Sequence, residues 1–363
     1  LGELEFFLIG DPETDNFPMP KQKGYHASAP YSKSGAVLND ILNCVMTVCG
    51  NIKYAHSEVG YLDTIVSALP ELNGKSAQQV ELEFLPTPIE ETGDILVLAR
   101  WIIRNVAYEH GYTVTFVPKL EVGHAGNGMH VHMLLKKDGK NALVDAKGLL
   151  TDTAKKLIGG LCKYASSMNA FGNSVAASYL RLVPHQEAPT KVCWSAMNRS
   201  ALIRVPLGWN GLDNIAMAVN PQQKDKLDFD SRQTVEIRSP DGSCNSHFLL
   251  AGITMAAEWG INNPEESLAL AAKSHVEGNI HGKNSTATGL DELATSCHES
   301  ADRLLEQRAI FERNGIFPSR AIDTIAQMLK DEDDKGLDAR LMALPEKEKL
   351  EESRKIMHRD IHK

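Results

Sequence analysis

Four apolar segments of this chain each carry two ionisable residues spaced two positions apart. They are Glu3/Glu5 in LGELEFFLIG, Glu81/Glu83 in QQVELEF, His130/His132 in GNGMHVHMLL and Glu236/Arg238 in VEIRSPDG. Residues i and i+2 of a strand project to the same face. A single such pair fits an ordinary solvent-facing strand. Four pairs, each backed by an apolar opposite side, fit a sheet with one polar face and one core face. The polar face then forms a cavity, and helices must cover the other.

The rest of the pattern supplies those helices. Leu4 to Ile9 reads as a strand, and residues 11–33 as a loop punctuated by Pro and Gly. Helical spacing covers Ala36 to Cys49 and stops near Gly50; it returns from Ile95 to His110, with Leu98, Trp101, Ile102 and Val106 placed on one face. Strands are expected at Val80–Leu85, Thr113–Val117, Met129–Leu135, Lys191–Ser195, Ala201–Val205 and Thr234–Arg238, with a helix at about Thr151–Met168. From Phe248 onward the pattern is nearly all helical, and Ala321, Ile325, Met328 and Leu329 keep helical spacing. The charge run KDEDDK (330–335) reads as a solvated helix end or loop. The order is α+β, with one sheet that needs helices on one face.

Bulk properties narrow the partners. A length of 363 residues fits one large domain or two ordinary ones. The formal charge of −9 argues against a nucleic-acid surface. No run of about 20 apolar residues is present, so no membrane span is expected. The chain opens within what reads as a core strand, so its natural N-terminus is expected to be missing. Six scattered cysteines without a C-x-x-C pair suggest reduced thiols and a cytoplasmic protein.

Carboxylates crowded into a cavity repel one another and lose their charge unless something compensates. A divalent cation does this directly. Many carboxylates with few imidazoles favour Mg²⁺ or Mn²⁺, and the absence of thiolates in these motifs disfavours zinc. A second cluster is basic: RLVPHQEAPTKVCWSAMNRSALIRVP supplies Arg181, Arg199 and Arg204, with Glu187 in a loop. Arginine forks suit carboxylates and phosphates. Acids for a metal and arginines for an anion together describe phosphoryl transfer.

These segments, with GYHASAP and HSEVG, resemble in order the signature blocks of the glutamine synthetase catalytic domain. The resemblance runs from residue 1 to about 250 and more weakly through the helical tail. It implies a curved antiparallel sheet backed by helices, with residues 1–363 forming one catalytic domain. Residues 1–250 would hold the sheet and active site, and 251–363 would be mainly helical. It implies one metal on Glu5, Glu58 and Glu81, and a second on Glu3, His130 and Glu236. Arg181 matches the arginine that holds the α-carboxylate of glutamate, Arg238 a second arginine near the substrate, and Gly126 a glycine whose backbone meets the amino acid. Glu187 matches a flap glutamate, and Arg199 and Arg204 match phosphate-contacting, catalytic arginines. His132 matches a contact on the ATP side, with a purely structural histidine as the alternative. Tyr25 matches the tyrosine of the ammonium pocket.

The implied activity joins glutamate and ammonia at the expense of ATP, through a γ-glutamyl phosphate, with two or more Mg²⁺ or Mn²⁺ ions. Homo-oligomeric rings are implied for the full-length protein. The family's N-terminal β-grasp domain, which completes a neighbouring active site, is not seen here, so the chain alone is expected to be poorly active. Departures from the family pattern stand at Ala125, Leu134, Thr234 and Lys53, and the interval between Glu58 and Glu81 is long. Ala125 and that interval, placed near the amine pocket, leave open a γ-glutamyl-amine or polyamine ligase. A phosphagen-type kinase and a non-catalytic homologue are the more distant alternatives.

Overall fold

A computed structural model describes residues 1–12, 16–183, 188–208, 218–220, 222, 233–278, 280 and 289–363. Its first sheet contains β1 (Glu3–Gly10), β2 (Ile52–Leu62), β3 (Ser76–Phe84) and β4 (Thr113–Thr115), in the order β2-β3-β1-β4. All its pairings are antiparallel. Strict alternation fixes the faces. Leu4, Phe6, Leu8, Val80, Leu82 and Phe84 join one buried cluster with Val37, Ile41 and Val45 of α1 (Gly35–Cys49). Leu96, Ala99, Ile102, Ile103 and Ala107 of α2 (Ile89–Glu109) complete that layer.

The opposite face is divided. Near the start of β1 it carries acids. Farther along, Phe7 and Ile9 are sealed under Leu62, Ile65, Leu72, Val117, Leu120, Val175, Ala177 and Ile361. The cavity therefore opens at one end of the strand only.

The second sheet holds β5 (Val131–Met133), β8 (Trp194–Ala196), β9 (Ile203–Val205) and β10 (Val235–Ile237), in the order β5-β10-β9-β8. A small hairpin, β6 (Lys136–Lys137) and β7 (Lys140–Asn141), follows β5. The two sheets are joined by main-chain hydrogen bonds. Glu3 N donates to His130 O (3.0 Å), Glu5 N to Gly128 O (3.3 Å) and His132 N to Leu1 O (2.9 Å). The first residues of the chain thus bend one sheet into the next, which gives the expected curved surface. The pairing is antiparallel except between β8 and β9, which run parallel.

The helical remainder begins with α3 (Asp152–Gly172), where the Thr151 hydroxyl accepts from Ala154 N, and α4 (Ala176–Arg181). It continues with α5 (Ser246–Asn262), α6 (Pro264–Lys273), α7 (Cys297–Glu306), α8 (Arg308–Glu312), α9 (Ser319–Lys330), α10 (Leu337–Met342) and α11 (Glu346–Arg359). One buried cluster runs from Leu4 through Phe171, Leu249 and Leu304 to Leu329. Among the described residues no helix is long and apolar enough to cross a membrane.

Three local expectations change. Strand β2 was not anticipated; polar residues and register shifts at Ile52/Tyr54 and Ser57/Tyr61 break its alternation. On α2 the buried stripe is rotated from the expected one, leaving Leu98 45% and Trp101 64% exposed. The KDEDDK run is not simply solvated. Asp334 is buried and accepts hydrogen bonds from Cys297 N (2.6 Å) and His298 N (3.0 Å) at the start of α7.

Candidate active site

The register of the first sheet builds a ladder of ionisable groups. Glu3 stands opposite Glu83, and Glu5 opposite Glu81, across β1 and β3. On the far side of β3, Tyr54 faces Glu83 and His56 faces Glu81. Glu3, Glu5, Tyr54, Glu81 and Glu83 line a cavity of about 1240 Å³ together with Glu58, His130, His132, Arg181, Arg199, Arg204 and Arg238, and His56 lies beside Glu58 and Glu81. Glu236 lies behind the wall and is fully buried.

Side-chain distances tie the two sheets together. His130 Nδ1 lies 3.0 Å from Glu3 Oε2, 3.8 Å from Glu5 Oε1 and 3.6 Å from Glu236 Oε1. His132 Nε2 lies 2.8 Å from Glu3 Oε1, and its Nδ1 lies 3.0 Å from the Thr234 hydroxyl. His56 Nε2 lies 3.2 Å from Glu58 Oε1 and 3.1 Å from Glu81 Oε2. Among the described residues, three groups bring one donor atom per residue within 4.8 Å of one another: Glu3, Glu81 and His130; Glu3, His132 and Glu236; and His56, Glu81 and Glu83. Glu3 is shared between two of these groups, a division different from the two triads the sequence suggested. Glu5 and Glu58 join through His130 and His56 respectively.

Electrostatics sorts these acids into two kinds. Burial tends to raise Glu3, but His132 and His130 outweigh it and hold the carboxyl well below its usual range. Burial is likewise outweighed at Glu236, by Arg238 and His132, so this carboxyl is lowered. Burial and the nearby Glu58 carboxylate push Glu5 up to about 8; the Gly128 N–H and Arg181 pull the other way but are outweighed. Glu81 is raised for the same reason, by burial and by Glu3, Glu5, Glu58 and Glu83. His130 is lowered to about 4 by burial and Arg238, so it presents a neutral imidazole. A neutral imidazole beside uncompensated carboxylates is a ligand set that fits a hard divalent cation. The buried Glu236 Oε2 adds a lone pair with no hydrogen-bond donor aligned on it, although Arg204 Nε sits 2.5 Å away as an ion pair.

The anion-binding side is equally built. Arg181 is buried at the end of α4, donating to Ser239 O (2.9 Å) and Arg238 O (3.3 Å). Arg238 Nη1 donates to Glu236 Oε1 (2.7 Å). Gly126 packs directly on the chain beneath it: a Cβ there would lie 2.2 Å from Pro118 O. Tyr25 and Arg199 pair at the outer rim, with Arg199 Nη2 donating to the Tyr25 hydroxyl (2.9 Å) and its guanidinium 4.9 Å over the ring. Gly24 lets Tyr25 approach, since a Cβ at Gly24 would lie 2.4 Å from Glu58 O. Glu187 lies outside the described residues.

Sequence reasoning overlooked several groups in and around the cavity. His56 shares a strand face with Glu58, and the spacing rule applied to HSEVG would have found it. Gln79 extends the Glu81/Glu83 row by two residues; its amide donates to Glu5 Oε2 (3.0 Å), Gly126 O (3.1 Å) and Asn127 Oδ1 (3.1 Å). Lys53 closes on Glu83 at 2.5 Å, neutralising that acid from the cavity rim. Lys119 is buried beside Arg181; burial, then Arg181, lowers its ammonium to about 8. No pattern in the sequence marked it. Residues 61–76, between Glu58 and Glu81, do not border the cavity as expected. Ile65 and Leu72 instead pack over Phe7 and Ile9.

A curved sheet that turns acids, imidazoles and arginines into one cavity defines an α+β domain suited to cation-assisted group transfer. The glutamine synthetase catalytic-domain model matches residues 2–339, and the chain belongs to that family. It is 31% identical over 316 residues to glutamine synthetase of Thermococcus kodakarensis, covering 86% of this chain and 62% of that one. It is 34% identical over 266 residues to glutamine synthetase of Thermus thermophilus, covering 71% and 51% respectively. The chain thus spans less than two thirds of the length of these curated relatives. Its fold matches a cryo-EM structure of Plasmodium falciparum glutamine synthetase with a TM-score of 0.68, at 21% identity, over 96% of this chain and 73% of that one. A GmaS–ADP complex matches with the same TM-score, at 18% identity, over 96% and 71%.

Proposed function

We propose that the chain is the catalytic domain of an ATP-dependent ligase that forms glutamine from glutamate and ammonia. The observation that carries this reading is the acid–imidazole cavity. It holds Glu3, Glu5, Glu58, Glu81 and His130 at its wall and Glu236 just behind. Residues 1–363 act as one domain, a reading supported by the single hydrophobic cluster running from β1 to α9.

Arg181 holds the α-carboxylate of glutamate, with Gly126 beneath the amino acid and Arg238 beside it. Tyr25 and Glu58 form the amine end. Arg199, Arg204 and His132 face the nucleotide, and Glu187 closes the site. The γ-carboxylate oxygen attacks the terminal phosphorus of ATP, an O–P bond forms, and ADP leaves. Ammonia then attacks the acyl carbon, a C–N bond forms, phosphate leaves, and the surplus proton passes to a cavity carboxylate. Bound Mg²⁺ or Mn²⁺ would neutralise phosphate oxygens during the first step. The arginines stabilise the charge that develops, and closure over the cavity keeps water from the acyl phosphate.

A second reading takes a larger amine, a monoamine or polyamine, in place of ammonia. Ala125 supports it, because it lines the cavity with only a methyl group and its N–H is already bound by Gln22 Oε1 (2.7 Å). Residues 61–76 do not support it, being packed away from the cavity. The reading of a homo-oligomer in rings rests on the family alone. The test is phosphate release from ATP with glutamate and a panel of ammonia, monoamines and polyamines. Release that requires ammonia supports the first reading, and release that requires an alkylamine supports the second. Silence with every amine, in the chain joined to a β-grasp domain of the family and shown to bind ATP, glutamate and Mn²⁺, overturns both.

A further inference from the structure

Helix α11 lies beyond residues 2–339, which the family model covers. It nevertheless grips, directly or through one neighbour, each segment that shapes one end of the cavity. Arg354 Nε donates to Glu121 Oε2 (2.9 Å). The buried His358 ring lies between two loops: Nε2 donates to Leu120 O (3.0 Å), which leaves Nδ1 to accept from the Ser67 hydroxyl (2.9 Å). Ile361 is 1% exposed and packs in the cluster with Val117, Leu120, Val175 and Ala177. Arg359 pairs with Glu332, whose Oε2 accepts from Ala176 N (3.0 Å), the first residue of α4.

What these contacts hold is specific. Residues 117–127 form the turn that presents Gly126, and Asn127 N donates to Pro118 O (2.9 Å) to close it. Helix α4 ends at Arg181. The loop held by Ser67 follows Glu58 and lids the apolar half of the sheet. None of Arg354, His358, Arg359 or Ile361 lines the cavity.

We propose that α11 and the residues after it are a positioning clamp for the amino-acid end of the cavity. His358, Arg354 and Ile361 act on Gly126 through the 117–127 turn, and Arg359 acts on Arg181 through Glu332 and α4. Assigning Gly126 and Arg181 to the amino acid rests on the function proposed above; the clamp itself does not. Sub-ångström drift at this end is felt by the amino acid and not by the nucleotide, which occupies the other end.

The test uses the full chain with His358→Ala, His358→Gln and Arg354→Met, which address the 117–127 turn, and Arg359→Met, which addresses α4 through Glu332; the Met variants keep the packing of partly exposed stems. Hydrogen exchange and the dissociation constants for L-glutamate and ATP are measured for each. Expected are faster exchange confined to residues 118–125 and 176–182, unchanged exchange in β1 and β3, and glutamate affinity roughly tenfold weaker with ATP affinity held. His358→Gln, which can still donate to Leu120 O, should recover part of the loss. Weakened glutamate and ATP binding in equal measure, or faster exchange throughout the sheet, would reduce α11 to ordinary packing and overturn the clamp. Unchanged exchange in both segments would overturn it too. A wild-type chain that binds no glutamate would sink the functional reading, while the exchange result still decides the clamp.

Discussion

Glu5 stands directly opposite Glu81 across the antiparallel β1–β3 pair, with both side chains buried. Like charges in that relation are destabilising, and here they are kept apart from water as well. The pair is tolerable only when a proton or a cation supplies positive charge.

This sets a pH dependence for the ion-free protein. The Glu5 carboxyl is raised from 4.5 to about 8, so the folded chain keeps a proton that the unfolded chain has released. Stability from that proton is complete below the unfolded value and is lost as pH rises through the folded one, from about pH 5 to about pH 8. The melting temperature in chelator should fall across that window. Saturating Mn²⁺ should raise it most at the alkaline end, where no proton must be displaced. A chelated protein that melts higher at the alkaline end would contradict the assignment.

Glu236 is the most committed of the acids, buried between Arg204 and Arg238. Glu236→Ala leaves two guanidiniums unpaired and should cost about 3–5 kcal/mol in urea denaturation. Glu351→Ala, on the exposed side of α11, should stay within about 0.5 kcal/mol. Glu236→Gln keeps the volume, and Mn²⁺ titration should show affinity lower by roughly 10–100-fold.

Gly126→Ala places a methyl group 2.2 Å from Pro118 O, so the turn must move. The KM for glutamate should rise by at least about tenfold, within the roughly hundredfold that an ångström of misplacement can cost, while the KM for ATP stays within about twofold. An equal change in both would show that the turn does not belong to the amino-acid end.

Asp334→Ala removes the acceptor for two main-chain N–H groups at the start of α7. Charge-assisted hydrogen bonds of this kind are each worth about 1.5–3 kcal/mol, and leaving both donors buried should lower stability by at least that much. Chemical denaturation against Asp331→Ala, an exposed neighbour in the same charge run, separates capping from net charge.

The parts of the fold that were legible in the sequence obey a short period. The acids of β1 and β3 announce their face because every second residue is apolar, and α1 announces Val37, Ile41 and Val45 in the same way. What the period could not reveal is set by tertiary contact. Strand β2 breaks its alternation at register shifts, so the strand as a whole did not show, although His56 and Glu58 keep the two-residue spacing. On α2, Leu98 and Trp101 look like core residues, but the sheet takes the neighbouring stripe of Leu96, Ala99 and Ile103. Asp334 reads as solvated because nothing local reveals that α7 begins beside it. The family's motif spacing carried the cavity residues much further than periodicity did, and it marked Lys53 only as a departure from the pattern, yet it was silent on Gln79 and Lys119. Their partners lie on other strands and turns.

Strand β1 bonds to β3 along its length and to residues 128–132 through its first turn of chain. Slipping it by one residue would swing Leu4 and Phe6 into the hollow and drive Glu3 and Glu5 beneath α1 and α2. Misthreaded molecules would then lose the proposed cation sites outright, so under that reading the stoichiometry of bound manganese would double as a census of correctly assembled chains in any preparation.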